Sequence, residues 1–183
     1  MTASWEKTRA SLDQLFAPKS LAMIGATNKL NKWGGMILAN VLTNRFTGKV
    51  FPVNPTSPEV LGQRAYRSVT DIPEQVDLAV IVTPAVTVAE LIEDCGRKGI
   101  RTVLVVTSDF SETGQEGKKR EEEIKKVARR HGIRLIGPNS MGVFSSSTSL
   151  VCIMAMMEPL KGVISFVSQS GNIGVQMLAW GRG

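Results

Sequence analysis

Two uninterrupted apolar runs, Leu78-Ala-Val-Ile-Val82 and Thr102-Val-Leu-Val-Val106, set the tightest limit on how this chain folds. A run of this length, rich in β-branched side chains and bounded by turn residues, makes a strand with no polar face. Such strands sit inside a parallel sheet, covered by helices on both sides.

The flanking segments supply the rest of that sheet and its helices. Pro18 ends an amphipathic stretch carrying Leu12, Leu15 and Phe16, and Ser20 to Ile24 forms the first strand. Val50 to Val53 is the second strand and Ile133 to Ile136 the fifth. Residues from about 33 to 46 put Ile37, Leu38, Val41 and Leu42 on one helical face. Residues 86 to 98 form a helix with Gly96 and Gly99 near its end, and 116 to 130 form another closed by Gly132. This alternation predicts an α/β fold, a Rossmann-like doubly wound parallel sheet with helices on both faces.

Such a sheet binds ligands at the carboxyl ends of its strands, so the residues after each strand are the ones to examine. They are Gly25-Ala-Thr-Asn28, Asn54-Pro55 following Val53, Thr83-Pro84 following Val82, Thr107-Ser-Asp-Phe110 and Gly137-Pro-Asn-Ser140. Any one of these is an ordinary turn. Five on one rim line a long groove of backbone N–H groups and small polar side chains, suited to an extended phosphate-bearing ligand. Two features argue against a nicotinamide dinucleotide. The first loop lacks G-x-G-x-x-G, and Asn54 stands where an acidic residue would bind the ribose. Lys29 and Lys32 instead offer positive charge in a longer first loop.

With 183 residues, 43% of them hydrophobic, the chain is long enough for one full domain and part of another. The run Ser145-Ser-Ser-Thr-Ser149 reads as a linker, which gives residues 1–148 as the sheet domain and 149–183 as linker and truncated start of a second α/β domain. In that second part Val163 to Val167 reads as a strand, and Ser168-Gln-Ser-Gly171-Asn-Ile-Gly174 as a helix start able to cradle an anion. Without sheet neighbours, Val163 to Val167 is expected to pair with another chain, giving a homo-oligomer, to fold back, or to promote association. Met154, Met156 and Met157 are expected to fill core or domain-contact gaps.

Several function classes fall away. No apolar run approaches the roughly 20 residues of a membrane helix, and Glu6, Lys7, Arg9 and Asp13 occupy the place of a signal-peptide core, so the expected location is cytoplasmic. The net charge of +6 does not imply nucleic acid: Lys118 to Arg120, Lys125 and Lys126 are interleaved with Glu121 to Glu123 in helix-spaced pairs, and stacking aromatics are scarce. Cys95 and Cys152 have neither disulfide nor metal-ligand spacing and read as reduced thiols. His131, the lone histidine, precedes Gly132 after two arginines and reads as a surface cap at a helix end. No nucleophile triad or metal cluster is visible, and no residue is assigned a catalytic role.

The motifs Leu21-Ala-Met-Ile-Gly-Ala26, Gly48-Lys-Val-Phe-Pro-Val-Asn-Pro55, Val76-Asp-Leu-Ala-Val-Ile-Val-Thr-Pro84, Phe110-Ser-Glu-Thr-Gly114, Ile136-Gly-Pro-Asn139 and Val167-Ser-Gln-Ser-Gly171 occur in that order. In this series the chain resembles the CoA-binding region of the NDP-forming acyl-CoA synthetases. These include the ADP-forming acetyl-CoA synthetases and, more distantly, the succinyl-CoA synthetase α subunit. The resemblance implies an acid–thiol ligase that converts acyl-CoA, ADP and phosphate to acid, CoA and ATP through a phosphohistidine, with an ATP-grasp domain or subunit as partner. It also implies coenzyme A, or acyl-CoA, as the ligand. It places CoA against Gly25, Thr27 and Asn28, against Val53, Asn54 and Pro55, and against Val82, Thr83 and Pro84. The thiol end would approach Pro138, Asn139 and Ser140, and Ser170 and Gly171 match a phosphate-holding loop.

Five positions depart from the family's usual pattern. Thr56 replaces a lysine, Arg67 a proline, Ser108-Asp109 an Ala-Gly pair, and Ser140 a cysteine. A carboxylate at Asp109 would repel a polyanion unless it points away. The family's phosphohistidine lies beyond Gly183, so this chain is expected to bind CoA without turning it over. The alternative is a CoA- or nucleotide-sensing regulatory module of a larger protein, such as an acetyltransferase fusion.

Overall fold

Residues 2–155, 160 and 162–181 are described by the computed structural model. Helix α1 (Thr2–Phe16) leads into β1 (Ser20–Ile24), α2 (Trp33–Thr43) and β2 (Lys49–Val53). A small hairpin follows, β3 (Glu59–Val60) and β4 (Gln63–Arg64), before β5 (Leu78–Ile81), α3 (Ala85–Lys98), β6 (Thr102–Val105), α4 (Gln115–His131) and β7 (Arg134–Ile136). A second hairpin, β8 (Gly142–Ser145) and β9 (Leu150–Ile153), and helix α5 (Gly171–Trp180) complete the order.

Five strands form one parallel sheet in the order β2-β1-β5-β6-β7. Alternate residues along each strand point to opposite faces, so the continuous apolar runs feed two cores. Ala22, Ile24, Ala79, Ile81, Val103 and Val105 meet Val88 and Ile92 of α3 and Ile124 and Val127 of α4. On the other face Leu21, Met23, Leu78, Val80 and Leu104 meet Leu15 of α1 and Ile37, Leu38 and Val41 of α2. The sheet is thus doubly wound, as its sequence pattern predicts.

The second hairpin alters the reading of the C-terminal segment. Residues Ser145 to Ser149 turn β8 into an antiparallel β9, and the expected boundary at 148 falls inside that turn. Leu150 and Cys152 are buried in the core against α2 and α1. The buried amide of Asn40, in α2, donates through Nδ2 to the carbonyl oxygens of Ile153 at 3.0 Å and Ala155 at 2.8 Å. A serine-rich run read as a linker is therefore a hairpin loop whose second strand belongs to the first core. Met154 packs against that core; Met156 and Met157 lie outside the described residues.

Val163 to Val167 forms no strand, contrary to expectation. A strand needs a neighbour for its backbone N–H and C=O groups, and none pairs with it among the described residues. Its Val163, Ile164 and Val167 side chains are exposed.

The open edge of the sheet at β2 is partly covered by the chain that follows the first hairpin. Tyr66 donates its N–H to Pro52 O at 2.9 Å and accepts from Asn54 N at 2.8 Å. Its ring meets Phe51 edge-on, with centroids 6.0 Å apart.

Both cysteines are free and buried, and burial pushes each thiol up to about 12. Because the thiolate is the reactive form, alkylation at pH 8 should label neither cysteine in the native chain and both after unfolding. Rapid native labelling of either, read by mass spectrometry, would contradict this packing.

Candidate functional site

β1 lies where the strand order reverses, with β2 on one side and β5, β6 and β7 on the other. A crevice opens outside the carboxyl ends of the strands at such a point. The residues expected to bind ligand gather there, joined by hydrogen bonds that run the width of the sheet. Gly25 N donates to Val53 O at 3.1 Å and Val82 N to Ile24 O at 2.9 Å. The Thr107 hydroxyl donates to Thr83 O at 2.7 Å, and Asn139 N to Thr107 O at 2.9 Å.

Close backbone approach shapes the crevice at β1. Gly25 has φ +93°, and a Cβ there would overlap the Val82 carbonyl oxygen. In the first turn of α2, a Cβ on Gly34 would overlap Gly25 O, and one on Gly35 would overlap Lys29 O. The helix start is thus pressed onto the loop. Neither α2, which begins after Lys32, nor α3, which begins after Pro84, has a side-chain cap on its first N–H groups. Two positive helix ends therefore open at the same rim with donors for an anion.

The polar side chains of this rim mostly build it. Asn54 donates through Nδ2 to Ala26 O at 2.8 Å, while its Oδ1 accepts from Thr56 N at 2.9 Å, Thr56 Oγ1 at 3.0 Å and Ser57 N at 2.9 Å. Asn28 Oδ1 accepts from Leu61 N at 2.8 Å, and its Nδ2 donates to Glu59 O at 3.4 Å. Thr27 Oγ1 accepts from Lys29 N at 3.3 Å, and the Thr83 and Thr87 hydroxyls lie 2.9 Å apart. Pro55 and Pro84 are exposed, Val82 is half-buried and Val53 is buried. What remains open toward a ligand at this end is chiefly backbone N–H.

At the far end, Gly137 has φ +91° and precedes Pro138 through a cis peptide bond, and Asn139 takes φ +54°. Ser140 N donates to Val105 O at 3.4 Å, and its hydroxyl accepts from Gly142 N at 3.1 Å. A Cβ on Gly171 would overlap the Met141 side chain. The start of α5, capped by Ser170 Oγ accepting from Ile173 N at 3.5 Å, therefore sits against the loop that carries Asn139 and Ser140.

Asp109 has a left-handed backbone, φ +73°, and is exposed. It lines a cleft of about 350 Å³ with Pro84, Ala85, Val86, Thr113 and Arg120, and Arg120 donates to Asp109 O at 2.8 Å. The carboxylate therefore shares its cleft with a guanidinium, which offsets its repulsion of an anion. A slightly larger cleft of about 390 Å³ lies on the outer side of β2, lined by Val41, Phe46, Val50 and Gln63, away from the rim loops.

His131 ends α4, which leads into the amino end of β7, opposite the rim. Its Nε2 lies 2.9 Å from Glu93 Oε1, and its ring packs on Gly96. That hydrogen bond, with Arg130 nearby, holds the Glu93 carboxyl below its ordinary range. It ties α3 to α4 and has no part in the rim. Among the described residues no group of three metal-ligating side chains occurs.

The β3–β4 hairpin was not legible as part of the site. Its sequence signal is Leu61-Gly62, both residues left-handed at φ +49° and +74°, a two-residue hairpin turn. Asn28 holds it over the first loop.

Residues 19–146 match the family described as CoA binding domain. The chain is 40% identical over 174 residues to the acetate–CoA ligase [ADP-forming] I subunit alpha of Pyrococcus furiosus, covering 93% of this chain and 38% of that one. To the 4-hydroxybutyrate–CoA ligase [ADP-forming] of Nitrosopumilus maritimus it is 39% identical, covering 87% and 23%. The dinucleotide-forming acetyl-coenzyme A synthetase 1 of Ca. Korarchaeum cryptofilum, solved with phosphate and ADP, superposes with a TM-score of 0.89 at 37% identity, over 93% of this chain and 36% of that one. The chain thus spans well under half the length of these relatives.

Proposed function

Because this chain belongs to the CoA-binding domain family, we propose that it is the CoA-binding portion of an NDP-forming acyl-CoA synthetase. One observation carries the reading: the rim at the switch point is built of backbone N–H groups and two uncapped helix starts, in a chain 40% identical over 93% of its length to a subunit of such a ligase. CoA supplies the thiol that accepts and releases the acyl group. The chain's own residues bind and orient it.

In this reading the backbone of Gly25, Thr27 and Asn28 and the first turn of α2 take the phosphates. The strand ends at Val53 to Pro55 and Val82 to Pro84 flank the body of the ligand, and Pro138, Asn139 and Ser140 receive the thiol end. Ser170 and Gly171 hold phosphate beside that end. Residues leading into α5 belong to the start of a second α/β domain. The phosphohistidine and the ATP-grasp unit that complete the ligase reaction are supplied by a further domain or subunit. Val163 to Val167 is available to such a partner or to a second copy of the chain. Its place of work in this reading is the cytoplasm; no helix among the described residues is long and apolar enough to cross a membrane.

Calorimetric titration of the chain with CoA, acetyl-CoA, NAD and ADP tests this reading. Saturable heats are expected for CoA and acetyl-CoA, with the same affinities in His131→Ala, since His131 lies at the opposite end of the sheet. Saturable NAD binding with no CoA response would overturn the proposal.

A further inference from the structure

Among the described residues six lysine and arginine side chains form ion pairs. Lys49 pairs with Glu74, Lys125 with Glu121, and Arg130 with Glu93. Lys29, Lys32, Arg64 and Arg67 are among the described cations that form none. All four lie on the first loop or on the hairpin segment after β2. These four cations without an ion pair therefore flank the β2 side of the crevice.

Of these, Arg64 is the one with a built support. Its Cζ lies 5.2 Å from the centroid of the Tyr66 ring, a cation–π contact. That ring is braced by Phe51, and the Tyr66 backbone is bonded on both sides to the end of β2. Glu59 lies opposite Arg64 in the hairpin register but does not neutralise it by an ion pair. The hairpin itself is docked on the first loop through Asn28. A stacked guanidinium keeps its planar edge of N–H donors free, a fork that matches a phosphate monoester bidentately.

CoA presents two kinds of phosphate. Its pyrophosphate suits the backbone N–H groups of the loop and helix start, whereas its ribose 3′-phosphate is a more highly charged monoester that calls for a cation. We infer that Arg64, held on Tyr66, recognises the 3′-phosphate of CoA and sets the preference for CoA over dephospho-CoA. This rests on the CoA-binding reading above.

The test is calorimetric titration of the 183-residue chain and of Arg64→Gln, Arg64→Lys and Tyr66→Leu with CoA and with dephospho-CoA, with melting temperature as a check on folding. Wild type should bind CoA roughly tenfold or more tightly than dephospho-CoA, the scale of one charge-assisted bidentate contact. Arg64→Gln should bring the two affinities together by weakening CoA alone. Arg64→Lys, which keeps charge and loses the fork, should fall between, and Tyr66→Leu should lose part of the preference. Equal binding of both ligands by wild type, an unchanged preference in Arg64→Gln, or equal weakening toward both ligands would overturn the assignment of Arg64. Failure of wild type to bind either would overturn the CoA reading itself.

Discussion

Gly34→Ala is expected to reduce CoA affinity by about 100-fold, the largest effect of any single methyl group at this rim. The added Cβ would overlap the carbonyl oxygen of Gly25, and that oxygen has little room to move. Gly25 is fixed by its N–H bond to Val53 O, by φ +93° and by its contact with the Val82 carbonyl. Helix α2 cannot easily retreat either, because Ile37, Leu38 and Val41 pack on the sheet behind it. Relief therefore requires a shift of about 1 Å between helix start and loop, which pulls apart the N–H groups that would share one phosphate. Overpacking of this kind also costs about 1–3 kcal/mol of stability. Titration with CoA and thermal melts would read both effects, and wild-type affinity in Gly34→Ala would rule out this crevice as the phosphate site.

Asn54→Ala should be the most damaging side-chain truncation at the rim. Four hydrogen bonds end on this one amide, joining the end of β2 to the first loop and folding the Thr56-Ser57 turn. Removing it leaves a carbonyl and two N–H groups without that partner, a loss of about 2–3 kcal/mol. For a chain of this size the melting temperature should fall by roughly 5–10 °C, and CoA binding should weaken with it as the loops loosen. Asn54→Asp separates the parts. It keeps the acceptor for Thr56 and Ser57 but faces Ala26 O with a carboxylate in place of a donor. An intermediate loss is expected, and a wild-type melting temperature for Asn54→Ala would show that the turn holds without it.

The central strands were readable because burial on both faces leaves no ambiguity: Leu78 to Val82 and Thr102 to Val106 could only be interior. The loops after them marked the rim, while the strand order that puts the crevice beside β1 is visible only in the structure. What individual side chains do there was less readable. Asn28 and Asn54 stand at the expected positions, yet their amides are bonded within the protein, because a loop without regular structure must satisfy its backbone from nearby side chains. The two hairpins were missed for different reasons. β3 and β4 have two residues each, too few for any period to show. β9 was hidden behind a serine run whose composition suits a linker, while the amide that fixes it, Asn40, lies 113 residues from Ile153. Val163 to Val167 shows the converse, since its composition suits a strand and no strand among the described residues pairs with it.

The bond from Asn40 to Ile153 has a consequence for how the binding site comes into being. Helix α2 meets the ligand rim at its first turn and the β8–β9 hairpin farther along, so one rod is held at two places. A ribosome finishes the first of those places early and the second last. Until the residues around Ile153 have been made, α2 packs on the sheet without the hairpin strand that shares its core and without partners for the buried amide of Asn40. A fragment ending before residue 155 therefore lacks one or both of the carbonyls that hold Asn40 of α2. A cut in the serine run would spare every rim residue up to Ser140 and still remove the hairpin strand bonded to the far part of α2.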